Sequence, residues 1–468
     1  MKGKNHIKTE RKKHMSSILR ELARFAVELD AEKIPPEVRE AASLKILDTV
    51  AAGIGAARNE QILRVTGEYR ELMGNREAAP VWAQGIQAPL FTAVFLNAMQ
   101  SHTLELDDVH TKSKAHIGTV VVPAAWSCAA MLGSSGRELV EAVVAGYEIT
   151  ARIAMAFGIK AHRKPGWHST ATAGVFGAAA ACGKLLKLDE EGMVNALGLA
   201  GAQSFGTWAF LADGASCKVL NPARAAQSGC EAAFLAKAGM TGPEHVLTSE
   251  DGGLFHMMSS EPVPEYAAAG LGNDWEITQM DNKPYPCCRS THCGIDAALA
   301  IREAHGLRPE EIQHVRVDTY LIGNQQCGTS AASREPHTAP QARFSTPYCV
   351  AAAFIHGKVG LQEFQPELIN GSQEQELLHR VEICTAERFT EAYPRHWGCH
   401  MTVTCRDGRV MEQEIPSASG SVDNPLTAAQ AWSKSMNLMA PVVGAERAGE
   451  LAQLLMDIET LAVLPDLA

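Results

Sequence analysis

Residues 173–186, AGVFGAAAACGKLL, carry almost no polar side chain in any direction. A helix built from such a run is buried on every face, so other helices must surround it. Its alanines and glycines let those neighbours approach closely. The run therefore predicts a helical domain with this segment at its centre. Gly166 to Lys218 brackets it, with GWHSTATAG in front and DGASCK behind. Ser169 and Thr170 suit a helix start. His168 lies at the mouth of the buried run, where a polar ring is costly unless it is paired or used. It is the first candidate for chemistry, weighed against a satisfied core histidine.

At 468 residues the chain exceeds one ordinary core, and two domains are expected. A net charge of −11 argues against nucleic acid and anionic membranes as partners, so an anionic substrate would need a locally basic site. No apolar run reaches the roughly 18–20 residues of a spanning helix. Residues 1–14 are basic without a signal-like apolar core and read as a disordered basic arm. The twelve cysteines follow no framework spacing, which fits reduced thiols and a cytoplasmic enzyme.

Helical patterns open the chain. They run over SSILRELARFAVELD, the segment from Pro36 to Ala56 after a Pro35–Pro36 break, and 61–72 and 88–99, with APVWAQGIQAP as a connector. A polar cluster follows from His102 to Trp126. Glu105, Asp107, Asp108, His110 and His116 fall within twelve residues and run into an apolar helix from Pro123. General acid–base chemistry, a metal site and a solvated loop are the three readings. Helix-borne carboxylate–histidine ligands usually pair at i, i+3 or i+4, and only Asp107–His110 does so here.

Helices are expected over 135–157, 188–203 with Asp189 as cap, and 221–238. Lys218 and Arg224 flank the start of the last, where free N–H groups favour an anion such as a carboxylate. Strand-like alternation appears after Ser260, in WEITQMD, HVRVDTY, RVEICTA and MTVTCRDGRVMEQEI, the last with an Asp407–Gly408 turn. Helices intervene at 291–304 and 346–356. The expected fold is thus two-domain. A large all-α domain spans 15–270 and is completed by helices in 416–468, and a smaller α/β domain spans 271–415.

DNKPYPCCRSTHCGIDAA (281–298) enters the smaller domain with Lys283, Arg289 and His292 on a Pro-stiffened loop. Cys287, Cys288 and Cys293 invite zinc, but adjacent cysteines chelate poorly compared with C-x2-C, and no metal is expected. A nucleophilic thiol beside His292 is the other option. In ARFSTPYCVAAAF (342–354), Arg343 and Tyr348 precede a further buried helix.

LDTVAAGIGA, the 102–123 cluster, GYEITARIA, GWHSTATAG, DGASCK and KPYPCCRSTH occur here in the order and spacing of the MmgE/PrpD family. The chain resembles that family over 15–460. Its members include 2-methylcitrate dehydratase, cis-aconitate decarboxylase and iminodisuccinate epimerase. The resemblance implies a helical domain closed by an α/β lid, a homodimer, a cleft active site and no cofactor. It implies a catalytic set of His168, His116, Lys218 and Lys283, with His292 and Tyr348 assisting. Glu105, Asp107, Arg289, Cys288 and Arg343 would bind the substrate, a small di- or tricarboxylate. The chain departs from the family where Glu105 replaces an Asp, Val109 a Thr and Cys288 the decarboxylase's histidine. His116-Ile117-Gly118 stands for His-Pro-Ser. The implied reaction is cofactor-independent α-proton chemistry. Dehydration of a hydroxy-polycarboxylate comes first, epimerisation of an amino- or imino-dicarboxylate second and decarboxylation third.

Overall fold

The computed structural model describes residues 17–72 and 78–468, so the basic 1–14 segment lies outside the described residues. The all-apolar run forms the helix Gly174–Leu185, buried from Gly174 through Gly183 and again at Leu185. It packs against Gly118–Leu132, Gly136–Ala156, Glu190–Gly201 and Leu220–Lys237. Local signals start these helices. Pro36 occupies the first turn of Pro36–Ala56, Ser135 and Glu138 form a capping box, and Asp189 caps Glu190–Gly201. The Gly118–Leu132 helix begins five residues before Pro123, because Asp108 Oδ1 accepts the Gly118 N–H at 3.0 Å.

One apolar core runs through residues 19–280 and takes in Leu438, Met439, Leu451 and Leu455 from the C-terminal helices Ala428–Val443 and Ala445–Met456. A second core, from Cys287 to Ala418, belongs to the lid. The large helical part and smaller α/β part are therefore distinct packing units. The expected connector at 79–89 is instead a small hairpin, β1 (Ala79–Val81) with β2 (Ile86–Ala88), which seats Trp82 in the core. No helix among the described residues is long and apolar enough to cross a membrane.

WEITQMD departs most from its pattern. Only Met280–Asp281 (β4) is extended, and Glu276–Thr278 is a 3-10 turn. Here β4 pairs antiparallel with β3 (Val109–His110), so Val109 faces Asp281 and His110 faces Met280. This two-rung ladder ties the acid-rich loop to the entry of the lid.

The lid sheet comprises β5 (Ile312–Thr319), β6 (Val381–Thr385), β7 (Cys399–Cys405) and β8 (Val410–Ile415), in the order β6-β5-β7-β8. β5 and β6 are parallel and the other pairs antiparallel. Cys399, Met401, Val403 and Cys405 alternate inward along β7 and bury one face against the helix His292–His305, while the helix Thr346–His356 packs on that helix and on β6.

Candidate active site

Four segments converge between the two units: the 102–118 loop, the 166–172 turn, the 207–221 loop and the lid-entry stretch 281–292. His168 directly precedes the Ser169–Thr172 turn, and its N–H donates to Gly206 O at 3.0 Å. Trp167 bridges to Thr207 beside it. The His116 N–H donates to Thr170 Oγ1 at 3.0 Å, and Ser169 Oγ donates to Ser113 O at 3.2 Å. These bonds lock the two histidine-bearing segments together.

Glu105 is at the centre. Its φ of 57° is unusual for a residue with a side chain and aims the carboxylate at two lysines. One oxygen accepts from Lys218 Nζ, and the other accepts from Lys283 Nζ at 3.1 Å. Burial opposes ionisation of Glu105, but Lys218 and Lys283 overcome it and hold the carboxyl well below its ordinary range. Burial likewise opposes the charge on Lys283, which Glu105 and Asp107 restore and raise above the usual lysine value.

Asp107 Oδ2 accepts two N–H groups, from His102 Nδ1 at 2.9 Å and from His116 Nδ1 at 2.7 Å. Burial opposes its charge, and His102 and Lys283 pull it well below the normal carboxylate range. Since His116 donates through Nδ1, its Nε2 keeps the lone pair. Burial pushes His116 down to about 3 against the pull of Asp107, so the ring is neutral at pH 7. His168 has the opposite tautomer. Its Nδ1 accepts from Asn221 Nδ2 at 3.2 Å, which puts the proton on Nε2, a buried atom with no partner among the described residues. Burial first, then Lys218, holds His168 well below its normal value. The site thus has one neutral histidine ready to accept a proton and another ready to donate a hydrogen bond.

A small chamber is bounded by Glu105, His116, Lys218, Lys283, Cys288 and Phe344 among others. Glu105, Lys218 and Phe344 also line a wider outer cleft that Arg343 borders. Arg343 Nη1 donates to Thr103 O at 2.5 Å, while its Nε is buried without a partner. A hydrogen bond with Cys327 brings the Cys288 thiol down to about 6 despite burial, and the Ser290 amide and Lys218 assist.

Tyr348 and His292 fall outside the chamber, and Arg289 reaches its wall already paired. Tyr348 is fully buried in the lid core, and its hydroxyl donates to Glu363 O, so it does not reach the chamber. Arg289 touches the chamber wall but is already committed. Nε donates to Asp281 at 3.1 Å, Nη1 to Ser419 O at 2.9 Å, and Nη2 to Ala418 O at 3.1 Å. It cannot offer a bidentate face to a substrate carboxylate without leaving the lid. His292 takes a hydrogen bond from Arg289 at Nδ1 and faces Cys287 O at 3.3 Å with Nε2, so it braces the loop rather than pairing with a thiol. Arg224 turns away from Lys218 to Gln227 and Tyr69.

The three lid-entry thiols also diverge. Cys287 lies 3.0 Å from Thr291 Oγ1, Cys288 pairs with Cys327, and Cys293 faces Ser290 O. Among the described residues, the group with metal-triad spacing is His102, Asp107 and His116, whose ligand atoms lie within 4.8 Å of one another. Both histidine Nδ1 atoms there carry protons toward Asp107, and a cation would have to displace both. The composition of the 102–116 segment pointed to His116 and Asp107 but missed His102 and Asn221. His102 ends the helix Leu90–Thr103 inside the same polar cluster, a signal that was present; Asn221 reads in sequence only as a helix start.

Residues 20–267 match the MmgE/PrpD N-terminal domain model, and residues 285–458 match the MmgE/PrpD C-terminal domain model. A cis-aconitate decarboxylase-like protein of Aspergillus oryzae is 26% identical over 96% of this chain and 96% of its own length. The cis-aconitate decarboxylase of Aspergillus terreus is 26% identical over 95% and 94%. The human cis-aconitate decarboxylase is 28% identical over 82% and 79%.

Proposed function

The chain belongs to the MmgE/PrpD family, and from that membership and the chamber geometry we propose that it is a lyase acting beside a carboxylate of a small polycarboxylate, with dehydration of a hydroxy-acid as its reaction. The observation that carries this reading is the pair of neutral histidines in opposite tautomers beside the Lys218–Glu105–Lys283 bridge.

In this scheme, His116 Nε2 takes the proton from the carbon next to a carboxylate. The electron pair moves toward that carboxylate, where Lys218, Lys283 and Arg343 stabilise the growing negative charge. It then returns to form the carbon–carbon double bond as the β C–O bond breaks. His168 Nε2–H donates a hydrogen bond to the departing hydroxyl, which takes up the proton carried by His116 and leaves as water. Both rings are then neutral again. Asp107 keeps His116 in the tautomer that exposes Nε2 and stabilises the imidazolium as it forms. The scheme draws on these side chains alone.

Decarboxylation is the second reading, favoured by the activity that the relatives' names carry. It would use the same cationic frame to stabilise the carbanion left as CO2 departs, with an acid delivering the proton.

The test is proton NMR in heavy water, with EDTA-dialysed enzyme and a panel of hydroxy-di- and tricarboxylates, their unsaturated counterparts and amino analogues. A new vinyl resonance from a hydroxy-acid, unaffected by the chelator, is the expected result. Product carbon dioxide from an unsaturated tricarboxylate would move the assignment to decarboxylation. Deuterium entering the α-position without a vinyl product would move it to epimerisation. Loss of turnover on chelation, restored by added metal, would overturn the side-chain-only scheme.

A further inference from the structure

Lys114, Trp208 and Gln326 line the chamber and also a second, narrow cavity behind it. Among the described residues, no acidic side chain lines that side pocket. Its apolar wall includes Ile159, Trp167, Ile322 and Tyr393, and its cations are Lys114, Lys160 and Arg163.

Two of these cations are in unusual settings. The Lys114 amino group is buried with no hydrogen-bond acceptor among the described residues, and burial pushes it well below the ordinary lysine value, so an arriving anion is what would hold its proton. It rests against rings supplied by the lid, 3.4 Å from the Tyr393 centroid, 4.1 Å from that of Trp397 and 5.9 Å from that of Tyr320. The Arg163 guanidinium lies 4.6 Å over Trp208, and its Nε is buried without a partner. Elsewhere around the chamber the cations have an acid beside them: Lys218 and Lys283 share Glu105, and Arg289 pairs with Asp281. A cation stripped of water and given only aromatic faces recovers part of its lost hydration, and an arriving anion would recover more. Trp208 is the partition: Arg163 stacks on it, and His168 meets the same ring at 4.8 Å, edge to face.

We propose that the side pocket is a carboxylate subsite, which receives the distal carboxylate of a substrate whose reacting carbon lies in the chamber. This rests on the reading that the chamber binds a carboxylate. The apolar wall takes the carbon stem, Lys114 and Arg163 take the charge, and the distance between the two sites selects substrates by length. Glu105 offsets one of the two chamber lysine charges, so Lys114 and Arg163 add charge-pairing capacity for a second carboxylate.

Isothermal titration of the intact protein with the linear dicarboxylates from succinate to azelate tests this without requiring turnover. The expected result is an affinity peak at one chain length. Arg163→Gln and Lys114→Met should each weaken binding at that length by about tenfold or more, with succinate affinity unchanged. Arg163→Lys should recover part of the loss. A wild-type series with no peak, or no binding at all, overturns the proposal. So does a peak that survives in both variants, or equal weakening of every member including succinate, since the last is the mark of a structural role. Melting midpoints of the variants within a few degrees of wild type confirm that the fold is kept, and the partly exposed Arg163 serves if Lys114→Met fails to fold. A length peak that depends on Arg163, with no turnover of any carboxylate by NMR, would retain the subsite and remove the proposed reaction. Turnover without a length peak would do the reverse.

Discussion

At the scale of single residues, the division of labour between the histidines depends on which nitrogen of each ring is already bonded. Asn221 fixes His168 with the proton on Nε2. Asn221→Asp would replace that donor with an acceptor and pull the proton to Nδ1. We expect kcat to fall by about 10²-fold or more, with KM nearly unchanged, a split that steady-state kinetics on the substrate found by NMR will read. His116 gives a second prediction. Burial lowers it to about 3, so it is already unprotonated well below neutrality. The kcat/KM profile should therefore show no histidine limb with a midpoint near 6.5 between pH 7 and pH 5, and such a limb would remove His116 as the base. Much of this site was legible in the sequence. His168, His116, Lys218 and Lys283 combine a costly position beside buried helix with motifs of fixed order. The partners were harder to see. Asn221 is 53 positions from His168, and the rings around Lys114 come from residues 320, 393 and 397. Tyr348 was misjudged for a physical reason, because a tyrosine in the first turn of an apolar helix does not reveal where its hydroxyl finds an acceptor.

At the scale of elements, the site depends on how closely helices cross beneath it. The Gly136–Ala156 and Gly174–Leu185 helices meet at Gly146 and Gly177. A Cβ on Gly177 would stand 2.5 Å from Gly146 O and 1.9 Å from Thr150 Oγ1. The carbonyl belongs to a buried helix backbone and cannot swing aside. Gly177→Ala should therefore destabilise the protein by about 1–3 kcal/mol. Gly67, within the Glu60–Leu72 helix, has nothing within 4 Å of its would-be Cβ. There the same substitution should stabilise by about 0.5–1 kcal/mol, because alanine loses less backbone freedom on folding. Urea denaturation of the two variants should give shifts of opposite sign. Elements with local signals were readable from sequence, such as the Ser135–Glu138 capping box, the alternation of β7 and the Asp407–Gly408 turn. WEITQMD was not, because its pattern is satisfied without a strand. Ile277 and Met280 belong to the helical core, and only Met280–Asp281 finds a partner, in a loop 170 residues earlier.

At the scale of the whole molecule, the buried ionisable groups set how the fold responds to acid. His110, His116, His162, His168 and His292 are all held below their ordinary value, burial being the first cause in each. Unfolded, each takes up a proton near pH 6.5, and folded each refuses it. Their contribution is therefore intact above pH 6.5 and is lost as pH falls toward the folded values, about 4 for His162 and about 3 for His116. Two buried carboxyls act the other way. Burial raises Asp108 to about 6 and Glu148 to about 7, so each stabilises the fold while protonated and that gain is lost as pH rises through those values. Between pH 6.5 and 5 the five histidines outnumber the two acids. Each net proton is worth about 1.4 kcal/mol per pH unit, so stability should fall on acidification by a few kcal/mol per unit, at about that rate per proton. Below pH 4.5, Glu276, held to about 2 by His110 and Lys112 against burial, adds to the same trend. Urea midpoints measured from pH 8 to pH 5 test this, and a flat or rising trend toward acid would refute it. His162 isolates one term, since it lines the side pocket and not the chamber, with Nδ1 facing Met258 O at 3.1 Å and Nε2 facing Thr172 Oγ1 at 2.9 Å. His162→Gln should reduce the acid slope by about one proton's worth and leave the kcat/KM profile flat over the same range. Activity lost in acid would then be traced to unfolding, with the base His116 still unprotonated.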